Sequence, residues 1–161
     1  MNDSPAKILL VEDDPAIVVT LHRVLAGEGY EVSIETHGEV SIENVTGRAR
    51  IVMDIKTPGS GMCRGGFEKN LQWLKASDEI KFVICSKEDY AWARDWVKSA
   101  RLPTREILFS PVVPAKGSPA GDTVSGVDPT WLAERILEDR LPVRLQLQLH
   151  KILWGADRKG V

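Results

Sequence analysis

Three features of this 161-residue sequence predict an α/β fold on a mostly parallel sheet of about six strands. Short apolar runs alternate with stretches of helical periodicity. Asp-Pro pairs at 14–15 and 128–129 open two of the helical stretches. Glycine or a polar loop closes each unit. Strands that alternate with helices imply a parallel sheet with right-handed crossovers.

The elements follow in order. KILLVE, residues 7–12, is a short apolar run that suits a strand buried on both faces. Asp14 before Pro15 is a cap followed by proline in the first helical turn. Ile17, Val18, Leu21, Val24 and Leu25 then recur at helical spacing, and Gly27 and Gly29 end that helix. Tyr30 to Glu35 reads as a second strand. Residues 36–49 show little periodicity, with room for one helical turn. Arg50 to Ile55 is a third strand, followed by a glycine-rich loop. Phe67 to Lys75 reads as a short helix, Glu79 to Cys85 as a fourth strand, and Lys87 to Ala100 as a helix lined by Tyr90, Ala93, Trp96 and Val97. Glu106 to Val112 is a fifth strand. The Pro/Gly/Ser stretch 113–127 is a long loop, of a length more often functional or mobile than incidental. A helix runs from Asp128 through Leu137. VRLQLQLH, 143–150, alternates as a half-exposed sixth strand does.

Composition narrows the classes. Forty-three per cent hydrophobic and 27% charged residues with a net charge of −2 describe an ordinary globular chain. The charge balance argues against nucleic acid as a partner. No apolar run is long enough for a membrane span, and MNDSPAK does not read as a secretory signal, so a cytoplasmic protein without a membrane partner is expected. The two cysteines, Cys63 and Cys85, form no Cys-x-x-Cys pair, which argues against a zinc or iron–sulfur site.

Sites in parallel sheets lie beyond the carboxyl ends of the strands. The polar residues there are Glu12, Asp13 and Asp14; Glu35 and Thr36; Asp54 and Lys56; Ser86; Ser110; Gln148 and His150. Gly59, Gly61, Gly65 and Gly66 match neither the phosphate-loop nor the dinucleotide spacing.

Two resemblances emerge. KILLVEDDPAIVVTLHRVLAGEGYEV, residues 7–32, resembles the start of a response-regulator receiver domain. That resemblance implies a flavodoxin-like, three-layer sheet of order 2-1-3-4-5-6 once a sixth strand extends the edge. It also makes Asp13, Asp14 and Asp54 candidate Mg²⁺ ligands, with Asp54 and Ser86 at phosphoacceptor and switch positions. Hard oxygen ligands suit Mg²⁺. The lysine that receivers carry after strand five is replaced by Ser110. From about residue 33, SIETHG, VMDIKTPGSGM, DEIKFVI, DYAWARDWV, ILFSPV and RLQLQLHKILWG together resemble the later half of 7-carboxy-7-deazaguanine synthase. That family is a radical S-adenosylmethionine enzyme of the queuosine pathway, with a partial β/α barrel. The resemblance implies a dimeric relative and a vestigial ligand pocket at Glu35, Thr36, Gln148 and His150. The three-cysteine motif of that superfamily is missing.

Together these suggest one α/β domain over 1–161, a chimera of a receiver-derived segment (1–32) and a half-barrel segment (33–161), joined between Tyr30 and Thr36. On this reading the chain is an engineered, recombinant scaffold without catalytic activity. It requires no cofactor, takes Mg²⁺ at most, holds no iron–sulfur cluster, and is a monomer or a homodimer. Alternatives are a receiver-like Mg²⁺-binding module and a residual binder of S-adenosylmethionine or a deazapurine.

Overall fold

Period-two alternation of buried and half-exposed side chains builds the strands, as a pleated backbone requires. The computed structural model describes residues 5–12, 14–45, 49–99, 101–112 and 126–154, apart from the side chains of residues 150 and 152. The strands are β1 (Lys7–Val11), β2 (Glu31–Thr36), β3 (Arg50–Lys56), β4 (Glu79–Ile84), β5 (Glu106–Pro111) and β6 (Arg144–Leu145). The α-helices are α1 (Pro15–Gly27), α2 (Lys87–Lys98), α3 (Pro129–Glu138) and α4 (Leu149–Trp154). Pro58–Ser60 and Phe67–Trp73 are 3₁₀ helices, the second within the stretch 67–75 that the sequence predicts as a short helix.

The α/β class and the six-stranded parallel sheet are as the sequence predicts. The strand order differs: it is β1-β2-β3-β4-β5-β6, not 2-1-3-4-5-6. The registers Leu9↔Ser33, Glu35↔Val52 and Phe109↔Leu145 are parallel. The cause lies in β1. It is an edge strand, with Leu9 56% and Val11 67% exposed, whereas a receiver's first strand is central. An apolar run alone does not distinguish a central strand from an edge strand that leaves apolar side chains exposed. The sixth strand is also shorter than the alternation of 143–150 predicts. The Gln146 N–H donates to the Phe109 carbonyl (2.9 Å), and α4 begins three residues later.

The chain divides into two compact units, Met1–Ile55 with Arg64–Ile80 and Pro103–Glu106, and Lys56–Cys63 with Lys81–Leu102 and Ile107–Val161. In the first, Val32, Ile34, Ile51, Met53, Ile55 and Ile80 are buried, as are Val18 and His22 of α1. Three polar side chains fix its loops. The Asn70 amide donates to the Gly38 and Val40 carbonyls (2.7 and 2.8 Å) and accepts from the Ile42 N–H (3.2 Å). The buried Asp78 carboxylate accepts from the Ile51 and Lys75 N–H groups (3.0 and 2.8 Å). The Thr104 hydroxyl lies 2.7 Å from the Asp78 carbonyl and accepts from the Glu106 N–H.

The second unit is built on aromatic edge-to-face pairs: Phe82 with Phe109 (5.7 Å), Tyr90 with Phe109 (6.0 Å) and Tyr90 with Trp131 (5.5 Å). Such pairs each add about 0.5–1.5 kcal/mol beyond the area they bury. Trp92 and Trp131 are half-buried in this cluster, and Trp154 is exposed.

Replacing Asn70 by alanine strands two carbonyls and one amide, so a loss of about 2–4 kcal/mol is expected from urea unfolding. Phe109→Ala, which empties the centre of the aromatic cluster, is expected to cost about 3–5 kcal/mol in the same measurement.

Candidate functional site

In the first unit the pleat sorts the strand-end residues. Val32, Ile34 and Thr36 of β2 are buried, as are Ile51, Met53 and Ile55 of β3. Ser33 and Glu35, with Val52 and Asp54 of β3, alternate with them and are half-exposed. Glu35 is in register with Val11 on one side and Val52 on the other. The structure therefore places Glu35 and Asp54 on one half-exposed sheet face, flanked by Leu9 and Val11. Thr36 falls on the opposite, buried face, where its hydroxyl accepts the Gly38 N–H (3.4 Å). Gly38 is required there: its φ is +74°, and a Cβ would come within 2.8 Å of the Met53 side chain. On the same side a narrow, mainly apolar cleft, enclosing about 330 Å³ including solvent-open space, lies among Glu12, Val18, Val19, Thr36, Val40 and Ile42.

The candidate Mg²⁺ ligands fare unequally. Asp13 lies outside the described residues. The Asp14 carboxylate caps α1, accepting from the Ala16 and Ile17 N–H groups (2.8 and 3.2 Å). Among the described residues no group of three His, Cys, Asp or Glu side chains is placed to hold a metal.

In the second unit Ser86, the switch candidate, caps α2: its hydroxyl accepts the Asp89 N–H (3.1 Å). Asp89 is the residue that strand-end reasoning misses. It is 1% exposed, and its carboxylate accepts from the Gly59 N–H (2.7 Å) and the Cys85 N–H (3.1 Å). This ties the loop after β3 to the turn after β4. The signal was present in SKED, where an acid three residues after a capping serine is a capping-box spacing. Gly59 is fixed by the same contact, since a Cβ there would stand 2.6 Å from Asp89 Oδ2. Thr57 donates to the Val83 carbonyl (2.6 Å) beside Cys85. Ser110 is buried in β5. Gln148 is half-buried in the segment after β6, and its Oε1 atom is buried with no hydrogen-bond partner among the described residues. His150 falls in α4 rather than on a strand, so Gln148 and His150 do not share a strand face.

Burial raises the Cys85 thiol above its ordinary pKa and keeps it protonated at neutral pH. Hydrogen bonds from its own N–H and from Ser86 hold Glu88 below the usual carboxylate range. Away from the strand ends, Tyr90 donates to Asp139 Oδ2 (2.6 Å). Burial raises the pKa of that phenol, and the Tyr90 hydroxyl lowers that of Asp139.

A sequential, all-parallel six-stranded sheet with helices in the crossovers defines an α/β protein. No family model matches the chain. It is similar to curated proteins named 7-carboxy-7-deazaguanine synthase. One, from Koribacter versatilis, is 40% identical over 141 residues, covering 85% of this chain and 62% of the relative. Those from Chlorobaculum tepidum and Methanospirillum hungatei are each 36% identical, covering 81% and 90% of this chain and 56% and 54% of the relatives. The chain thus spans about half to two-thirds of the length of the relatives it matches.

These matches correct the reading of a chimeric, non-catalytic scaffold. Residues 33–161 are about 80% of the chain, so a match covering 90% runs on into the stretch that resembles a receiver. The sequential strand order points the same way, and nothing supports a receiver segment or an engineered junction. The expectation that the chain is no enzyme is overturned too, because the relatives are enzymes. So is the expectation that no cofactor is required. The relatives' name is that of a radical S-adenosylmethionine enzyme, which uses an iron–sulfur cluster and Mg²⁺. The cysteines of this chain do not fit a three-thiolate cluster. There are two in all, Cys63 half-buried in a loop and Cys85 buried at the end of β4. Among the described residues no helix is long and apolar enough to cross a membrane.

Asp89→Ala leaves two amides without their acceptor, so a loss of about 2–3 kcal/mol is expected, with faster hydrogen exchange at residues 57–61. Tyr90→Phe is expected to cost about 1 kcal/mol at neutral pH. Because Asp139 is held below its ordinary value, its contribution is present above that value, about 3.9, and is lost as the pH falls through its folded pKa. The gap between wild type and Tyr90→Phe in urea midpoints should therefore narrow below about pH 4.

Proposed function

We propose that this chain works as part of a 7-carboxy-7-deazaguanine synthase, supplying the sheet face that binds and orients the deazapurine. The observation that carries the reading is the 40% identity over 85% of the chain to a protein of that name. The half-exposed face holding Glu35 and Asp54 supports it. The guanine edge of the named product offers two adjacent N–H donors, a ring N–H and the amino group. A carboxylate with two acceptor oxygens matches that pair, as neutral hydroxyls do not. Glu35 takes this role, in register with Val11 and Val52, whose apolar side chains flank the ring. Asp54, on the neighbouring strand, is the second acceptor. In the full reaction an iron–sulfur cluster with S-adenosylmethionine supplies the radical chemistry. The residues of this chain bind and position.

Titration of the purified chain with 7-carboxy-7-deazaguanine, followed by calorimetry, tests this. Binding with Kd of about 10–100 μM is expected, weakened at least tenfold by Glu35→Gln, which turns one acceptor into a donor. Glu43→Gln, on an exposed turn, should leave it unchanged. No heat change at millimolar product, or equal binding by Glu35→Gln, would overturn the assignment.

A further inference from the structure

We infer that Arg50 reads the 7-carboxylate of the deazapurine, in a cavity that lies one pleat repeat from Glu35 toward the amino ends of the strands. The inference rests on the reading above and adds the group that tells the carboxylated base from its neutral analogues. One face runs through both places. Val11, Glu35 and Val52 form a layer across β1, β2 and β3, and Leu9, Ser33 and Arg50 form the layer below it. Two residues of strand rise, about 6.6 Å, separate the layers. The lower layer borders a cavity of about 540 Å³, solvent-open space included, lined by Lys7, Leu9, Ser33, Arg50, Val52 and Glu79. Val52 thus belongs to both places: it flanks the ring and walls the cavity.

Charge is sorted along this face. Glu35 and Asp54 stand toward the carboxyl ends of the strands, whereas Lys7 and Arg50 stand toward the amino ends, in the cavity wall. Each cation has an acidic neighbour: Lys7 Nζ lies 3.5 Å from Glu31, and Arg50 Nη2 donates to Glu79 (2.8 Å). The two are not equivalent. The Lys7 side chain is 74% exposed, so water and salt screen its charge, while that of Arg50 is 45% exposed. A guanidinium carries five N–H donors in one plane, so the bond to Glu79 orients it and leaves capacity for a second carboxylate. Glu79 stands on β4, on the side of Arg50 away from β2, so that carboxylate is met from the side of Ser33. Ser33, in register with Arg50, adds a hydroxyl donor. The ligand is complementary to this order. Its N–H edge and its 7-carboxylate lie on opposite sides of a fused ring, whose width is comparable to the layer spacing. With the N–H edge on Glu35 and Asp54, the carboxylate faces the Ser33–Arg50 layer. A ring turned the other way would set a carboxylate against two carboxylates, which like-charge repulsion opposes.

Calorimetric titration of the full 161-residue chain with 7-carboxy-7-deazaguanine and with its neutral 7-carboxamide tests this. The wild type should prefer the carboxylate by about tenfold. Arg50→Gln should erase that preference by weakening carboxylate binding about tenfold. Its affinity for the carboxamide should stay unchanged, which also shows that the variant is folded. Arg23→Gln, which removes the same charge from the exposed surface of α1, should leave both affinities as they are. Glu35→Gln should weaken both ligands alike and keep their ratio. Equal binding of the two ligands by the wild type, or a preference that survives Arg50→Gln, removes Arg50 from this role and leaves the deazapurine reading intact. Failure of both ligands to bind at millimolar concentration sinks that reading and this assignment with it.

Discussion

A buried polar group must find a partner, and this chain meets that constraint with side chains that hold backbone amides and carbonyls. Strands that end in the interior leave loop amides and carbonyls cut off from water, each at a cost of about 1–3 kcal/mol if unpaired. Asn70 answers for the turn after β2, Asp78 for the entry to β3, and Asp89 for the loop after β3. All three are at most 3% exposed. With those loops held, the pleat can present Glu35 and Asp54 on one face and bury Thr36 on the other. Within the first unit, Asn70 and Asp78 hold the loops that flank the candidate face.

Much of this architecture was legible in the residues. Strands β2 to β5 and helices α1 to α3 appear close to where periodicity and capping place them, because Asp14, Ser86 and Asp128 announce helix starts through local chemistry. What failed was non-local. KILLV reads alike as a central strand or an edge, and only the partners of β1 decide. VRLQLQLH alternates, yet its pairing stops after Leu145 and the chain turns helical. Neither outcome is encoded within the segment itself.

The candidate site divides the same way. Asp14 was read both as a ligand and as a cap, and its geometry is that of a cap. Glu35 and Thr36 were grouped because both stand at the carboxyl end of one strand, but adjacent strand residues face opposite sides. Asn70 and Asp78 gave no motif to read, since their partners lie 27 to 32 residues away. The acidic cluster VEDDP suggested a different family only while it was read apart from its sheet. Set beside β2 in a sequential order, it is one more strand end of a β/α winding.

The contact between Gly59 and Asp89 also bears on how this sequence can change. Any side chain at 59 would strike the carboxylate, and a replacement at 89 without an acceptor oxygen would lose its hold on two amides. Drift at either position is thus blocked unless the other moves with it. Two codons 30 apart behave as a single heritable unit, and a homologue that differs at one should differ at both.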